Sequence, residues 1–512
     1  MRQRGLLTTL PGYHDFAQRV CRSNRGRGGD CCEHYNHSQS KRNEQRESLS
    51  MNLLMPQWRL AILCAVLSFS TAISAGETAR ATDVTLSERP RVGLVLGGGG
   101  ARGAAHIGVL RELERMRIPI DAIAGTSMGA IVGGLYATGM SVAELEQLVA
   151  EMDWADAMSD EPERGDLRFR RKQDARDYPI DLDIGLERGR PNLPLGVVQG
   201  QKLDLILRNL TLPVSHIRDF DDLPIPFRAI ASDIETGEMH VMHRGDLALA
   251  IRASMSVPAA LAPVRVDGHL LVDGGLVGNL PVDIVREMGV DVVIAVDVEF
   301  PLYAPDELQS AITISEQMLT ILIRKETLRQ IEKLGADDVL VRPQLGTFGS
   351  ANFGDIVAAI EPGAEAARKE QARLRELAVD EARYSEWRTQ KEAPQPPKER
   401  LAFVRVQQYS RLSAGVLESR LGVEAGDPID ADVLASEAAQ LHALDVFEKV
   451  SYRLVEESGG TGVVFNARAK SWGPSFLNFG FTLEDDFEGA TNFDLRARLT
   501  RPAVNRYGGE WR

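Results

Sequence analysis

The sequence predicts an α/β fold, a parallel sheet with helices on both faces. Three observations predict it. Short aliphatic runs alternate with stretches of helical spacing from Arg91 to about Asp297. Each run is bounded by glycine or by charge, as buried strands are. Two glycine-rich turns, "GGGGARG" at 97–103 and "GTSMG" at 125–129, fall where such a run gives way to a helix.

The strands are read in "RVGLVLG", "IDAIAG", "FRAIASDI", "LLVDGG" and "VDVVIAVDV". The helices between them are "AAHIGVLRELERM", "MGAIVGGLYATGM" and "LPVDIVREMG". Apolar residues at helical spacing over about 308–335 predict an added amphipathic helix. Residues 362–390, rich in Glu, Arg and Ala, predict a solvated helix that closes the domain. The first folded unit is therefore set at 76–390. The segment "EAPQPPKER" supplies a linker at 391–398. A small α+β unit follows at 399–470, with the order strand, two helices, two strands. The tail, 471–512, alternates with period two. Leu477, Phe479, Phe481 and Leu483 face one way, as do Phe493, Leu495, Ala497 and Leu499. Such alternation fits the first strands of an antiparallel membrane β-barrel, cut short here, or an ordinary half-buried hairpin.

The composition narrows the function. The chain has 512 residues, enough for about three domains, and a formal charge of −14. No dense basic tract offsets that charge in the body of the chain, which argues against nucleic acid as a partner. The four cysteines, Cys21, Cys31, Cys32 and Cys64, leave everything after residue 64 without a disulfide framework or a thiolate metal site. The segment 51–75 starts at Met51, carries Arg59, runs apolar from Leu60 to about Phe69 and ends in small residues at Ala75. This is the pattern of a cleaved secretory signal, and the run falls short of the ~20 residues that span a bilayer. Residues 1–50 read as a disordered or mis-assigned extension ahead of the true start.

The candidate chemistry centres on Ser127. It lies between Gly125 and Gly129 at a strand-to-helix junction, where a sharp turn exposes a hydroxyl and a helix N-terminus favours negative charge. The loop Gly97–Gly100 fits neither a dinucleotide fingerprint, because Arg102 stands where glycine is needed, nor a P-loop, because Gly103-Ala104 replaces Gly-Lys. Its bare amides can converge on an oxyanion, where each donor is worth roughly 3–4 kcal/mol. Arg102 either supports that loop or adds charge to it. None of His106, His216, His240, His243 and His442 has an obvious triad neighbourhood, and His269 is the best placed of the histidines. Asp273 is the stronger base, at a strand end beside Gly274 and Gly275, where partial desolvation raises a carboxylate's pKa.

The ordered blocks "GGGGARG", "GTSMG" and "DGG" resemble those of the patatin-like phospholipase family, over about 91–340. "ASDIETGE", "IRASMSVPAALAPV" and "GGLVGNLPV" resemble its connecting segments. The resemblance implies a patatin-like sheet, Ser127 as nucleophile, Asp273 as base in a Ser–Asp dyad, and an oxyanion hole from Gly98, Gly99, Gly100 and Arg102. It implies no cofactor and no metal. Residues 399–470 resemble a polypeptide-transport-associated (POTRA-like) domain, and the tail the start of a surface-antigen-type barrel. That order resembles patatin-type autotransporters of Gram-negative outer membranes, which implies export to the periplasm, outer membrane or cell surface. The expected activity is phospholipase A-type cleavage of acyl esters of a phospholipid or other membrane lipid. The alternatives are a serine thioesterase or peptidase on the same dyad, or a non-enzymatic outer-membrane assembly factor. A homodimer is left open.

Overall fold

The computed structural model describes residues 89–512, apart from Arg168, Pro179, Ala259, Phe300, 395–398 and 486–490. The predicted extension 1–50, the signal segment 51–75 and all four cysteines lie outside the described residues, as does half of the linker. Among the described residues, ten strands precede that linker: β1 Val92–Leu96, β2 Ala122–Thr126, β3 Ile180–Glu187, β4 Arg190–Asn192, β5 Phe227–Asp233, β6 Met239–Met242, β7 Val264–Val266, β8 His269–Asp273, β9 Val292–Val296 and β10 Val339–Val341.

Eight of them form the main sheet, in the order β10-β9-β1-β2-β5-β8-β7, with β6 also on β5. The first five of that order run parallel. Alternate residues of β1 feed two different cores: Leu94 and Leu96 pack into one, Val95 into the other. Two apolar faces explain why this strand reads as an unbroken aliphatic run. The helices Ala105–Met116 and Met128–Ala137 cover the first face and Val282–Glu287 covers the second.

The sheet is not all parallel as predicted. β6, β7 and β8 run antiparallel to their neighbours. The cause is local. Val266 pairs with His269, so only Asp267 and Gly268 turn the chain, both at positive φ (50° and 94°). A two-residue Asp-Gly turn makes a hairpin and cannot make a parallel crossover.

The stretch 362–390 also departs from expectation. It is broken into the helices Ile360–Lys369, Gln371–Leu374 and Glu381–Gln390, and it buries Ala364, Ala367, Leu374, Tyr384 and Trp387. Its small residues allow close helix packing. A side chain at Gly363 would lie 1.9 Å from the Ala105 carbonyl oxygen, and one at Gly108 would lie 1.9 Å from that of Ile360.

Five strands follow the linker: β11 Val404–Gln408, β12 Phe447–Glu457, β13 Gly460–Ala469, β14 Ser475–Asp485 and β15 Thr491–Thr500. β11, β13 and β12 form a three-stranded sheet with the helices Ala414–Glu418 and Ala431–His442, in the expected strand-helix-helix-strand-strand order. β14 and β15 pair antiparallel, and β14 also pairs with β3, in an open sheet of order β15-β14-β3-β4. No closed barrel occurs among the described residues. Phe481, Phe493, Leu495 and Leu499 nevertheless stand exposed. Among the described residues, no helix is long and apolar enough to cross a membrane.

The small unit is held to the main one by the helix Gln201–Thr211. Leu205 and Leu212 belong to the core of the small unit. The Gln201 side chain accepts from the Val450 amide (2.8 Å) and donates to its carbonyl (2.7 Å). Asp204, fully buried, is paired with Lys449 at 2.7 Å and with Arg208 at 2.8 Å. Burial alone would raise this carboxyl, but Arg208 and Lys449 outweigh it and hold the group well below 3.8. A depressed carboxylate contributes stability that is complete above its unfolded value and is lost as pH falls toward its folded value. We expect Asp204→Asn, which strands Lys449, to cost about 3–5 kcal/mol in urea unfolding at neutral pH. Its deficit against wild type should narrow below pH 4.

Candidate active site

Ser127 follows β2 and caps the helix Met128–Ala137, with φ 53° and ψ −121°. A non-glycine residue rarely holds such a φ, and strain of this kind concentrates at functional turns. The surroundings enforce it. A Cβ on Gly125 would lie 2.4 Å from the Gly129 carbonyl oxygen, and one on Gly129 would lie 2.1 Å from that of Leu96. Both flanking glycines are therefore required by backbone contact. The Ser127 amide donates to Ser254 Oγ at 3.0 Å, and that hydroxyl donates to the Ile230 carbonyl.

Asp273 ends β8. Its meeting with Ser127 follows from the pairing of β5. β2 pairs with Phe227–Ile230 of β5, and β8 pairs with Ala231–Asp233. β6 occupies the opposite edge over Ala229–Ser232. So β2 and β8 share one edge of β5, end to end and antiparallel, and their carboxyl ends face each other. The segment Ser254–Ser256 clasps both ends. Besides the Ser127 bond, the Ser256 carbonyl accepts from the Asp273 amide (2.9 Å) and the Ser254 carbonyl accepts from the Gly274 amide (3.3 Å).

The Asp273 carboxylate is buried. Oδ1 accepts from the Gly275 amide at 2.8 Å, while Oδ2 makes no hydrogen bond. Burial pushes its pKa up to about 6, against the opposing effects of the Ser127 hydroxyl and the Gly275 amide. No charged side chain contributes to that shift. The serine hydroxyl thus lies close enough to the carboxylate to oppose part of that upward shift.

The glycine loop lies against the same point. A Cβ on Gly98 would stand 3.2 Å from Ser127 Cβ. The amides are not equivalent. Gly97 donates to the Val296 carbonyl and Gly98 to that of Asn279 (3.3 Å). Gly99 and Gly100 donate to no group among the described residues. Arg102 supports the loop. It is buried, with Nε on the Val298 carbonyl (2.9 Å) and Nη1 on the carbonyls of Phe348 and Gly346. His106 lies beneath, with Nε2 2.7 Å from the Gly97 carbonyl oxygen, which makes Nε2 the protonated nitrogen. Burial lowers its pKa to about 4, so it is a neutral prop for the loop. His269 is bonded to Asp233 at 2.9 Å and stands half exposed at the start of β8, four residues from Asp273. Ser254 and Asn279 were not singled out in the sequence. They sit inside "IRASMSVPAALAPV" and "GGLVGNLPV", and a lone serine or asparagine in a connecting segment carries no signal of its own. Among the described residues, no three His, Cys, Asp or Glu side chains are grouped to hold a metal.

The comparison with known proteins covers the region that holds the three blocks. Residues 94–286 match the patatin-like phospholipase family. The chain carries a patatin-like phospholipase domain. An uncharacterised NTE family protein of Mycobacterium bovis is 37% identical over 210 residues, 41% of this chain and 49% of that protein. The human patatin-like phospholipase domain-containing protein 6 is 36% identical over 211 residues, 40% of this chain and 13% of that one. The matched region thus spans about half the length of the mycobacterial relative and far less of the human one. Among solved structures, VipD from Legionella pneumophila aligns at 16% identity over 55% of this chain and 66% of its own, with a TM-score of 0.31, too low to bear on the patatin-like reading.

The turn at Ser127 leaves no room for a methyl group at Gly129. Gly129→Ala should lower stability by about 1–3 kcal/mol in thermal unfolding, because the Leu96 carbonyl at 2.1 Å is backbone that cannot turn aside.

Proposed function

We propose that the chain is a serine lipid acyl hydrolase of phospholipase A type, with Ser127 as nucleophile and Asp273 as its base. The observation that carries the reading is the pair itself: a serine on a strained strand-to-helix turn facing a buried carboxylate with a free oxygen. A carboxylate lifted to about 6 is still mostly ionised at neutral pH, yet more basic than an ordinary aspartate. Ser127 attacks the ester carbonyl as Asp273 takes its proton. The proton passes to the departing alcohol, and water activated by the same carboxylate then releases the fatty acid. The unengaged amides of Gly99 and Gly100 are the donors we assign to the oxyanion, in place of the wider set Gly98 to Arg102.

Apolar surface near the site supports lipid as the substrate. The apolar stretch "VVQGQKLDLILRNL" mostly packs inside, with Leu203, Leu205 and Leu207 buried. The helix Ala311–Ile331 instead exposes Ile314, Met318, Ile321 and Leu322, and it also carries Ile323, whose Cδ1 lies 3.5 Å from the Cβ position of Gly275. Export and an outer-membrane or surface location belong to the same proposal, supported by the signal-like segment 51–75 and the exposed apolar face of β14 and β15. N-terminal sequencing of the mature protein should then begin near residue 76, and a start at residue 1 would contradict export.

The test uses purified full-length protein, mixed phospholipids and chelated calcium. Fatty acid should be released by wild type, and Ser127→Ala and Asp273→Asn should lose activity by about 10³-fold or more. The Asp273 base works only when ionised. So kcat/KM should rise through an ionisation near pH 6 and level off above it. Parallel assays on an acyl thioester and a peptide separate the lipase from a thioesterase or peptidase. Wild-type rates in both variants would remove the dyad.

A further inference from the structure

We propose that Asn279 is a positioning residue that fixes the glycine loop against the Asp273 turn. It thereby decides which loop amides stay free to bind the developing oxyanion. The inference rests on the assignment of Ser127 as nucleophile.

Asn279 reaches three elements at once. Its backbone carbonyl accepts the Gly98 amide at 3.3 Å. That bond removes one donor from the loop and leaves Gly99 and Gly100 unengaged. Its side-chain oxygen lies in the crevice between the loop and the DGG turn. Oδ1 is 2.7 Å from where a Gly98 Cβ would be and 3.4 Å from that of Gly275. At those same two points, Ser127 Cβ and Asp273 Oδ1 are the neighbours, at 3.2 Å and 3.1 Å. Its side-chain nitrogen donates to Thr327 Oγ1 at 3.2 Å, on the helix Ala311–Ile331.

The orientation of this amide is determined by its anchor. Thr327 Oγ1 gives its hydrogen to the Ile323 carbonyl at 3.0 Å, so it can only accept from Asn279. The Nδ2 group must therefore face Thr327, and Oδ1 must face the crevice. There Oδ1 is buried and accepts no hydrogen bond. An orphaned acceptor inside a protein is unfavourable, and an apolar side chain of similar shape would avoid it. A residue retained purely for packing has no reason to carry that oxygen. A residue that keeps loop and turn at a set separation does, because the oxygen's bulk and polarity act on both Gly98 and Gly275.

The experiment reads Ser127 reactivity without depending on the natural acyl ester. Full-length wild type, Asn279→Ala, Thr327→Val and Ser127→Ala are labelled with a fluorophosphonate. Its phosphonyl oxygen needs the same amide donors, and fluoride is its leaving group. Phospholipid kcat and KM are measured beside it. Asn279→Ala should label about 10- to 100-fold more slowly, with kcat reduced in parallel and KM unchanged. Thr327→Val, which removes only the anchor of the amide, should fall the same way by a smaller factor. Labelling of folded Asn279→Ala at the wild-type rate would overturn the proposal, as would a change confined to KM. If Asn279→Ala does not fold, the near-isosteric Thr327→Val decides, and a wild-type rate there refutes it. Undiminished labelling of Ser127→Ala would instead overturn the nucleophile assignment, a separate failure.

Discussion

The site depends on one constraint of strand pairing. β5 is long enough to pair with two strands on the same edge, β2 along its first half and β8 along its second. In a purely parallel sheet, the ends of two strands lie side by side at one rim. Here two carboxyl ends meet head to head, and Ser127 and Asp273 are the residues at the junction. The arrangement needs β8 to run antiparallel to β5, with Asp273 opposite Ala231. It also needs backbone to approach backbone. A Cβ on Gly274 would lie 2.3 Å from the Ile230 carbonyl oxygen and 3.1 Å from Thr126 Cγ2. The first glycine of "DGG" serves the strand junction, apart from any role in exposing the carboxylate.

Much of this was legible in the sequence, for reasons that differ from block to block. β1, β2, β5 and β9 stand out because strands covered on both faces are continuous aliphatic runs. The glycine blocks stand out because no packing argument explains four glycines in succession. The β7–β8 hairpin was present too, in the Asp-Gly of "VDGH", but "LLVDGG" reads as one more buried strand whichever way it runs. Charge concealed the packing of 360–390. Glu and Arg are prominent in its composition, while its buried contacts are made by alanine, glycine, Ile360, Leu374 and two aromatic residues. The role of β3 and β4 was out of reach, because their partner β14 lies nearly three hundred residues away. No local pattern reports such a pairing.

The residues that hold the site were hidden for a further reason. Ser254 works through its hydroxyl and its carbonyl, Ser256 through its backbone, and Asn279 through a carbonyl and an amide. None of these functions constrains spacing along the chain, and each depends on a partner brought in by the fold. Side chains assigned to chemistry announce themselves by what surrounds them in sequence. Side chains that position others are visible only as contacts.

The absence of a cationic neighbour at Asp273 ties the geometry to the proposed chemistry. An arginine or lysine beside the carboxylate would hold its pKa low and make it a poor acceptor for a serine proton. Burial does the reverse. Moving the group from 3.8 to about 6 corresponds to about 3 kcal/mol against the charged form. The cost falls on the resting state, where Oδ2 lacks a partner, and it is relieved when the carboxylate takes up a proton. The positive groups nearby are directed elsewhere. Arg102 is spent on three carbonyls under the glycine loop, and Arg252, fully buried, on Ser256 Oγ and the carbonyls of Gln199 and Ala262. Both arginines stiffen segments that touch the pair, and neither neutralises it. On the proposed mechanism, that separation lets a single aspartate do what a histidine does in longer relays. It is ionised at neutral pH, close to the serine, and destabilised enough to accept its proton.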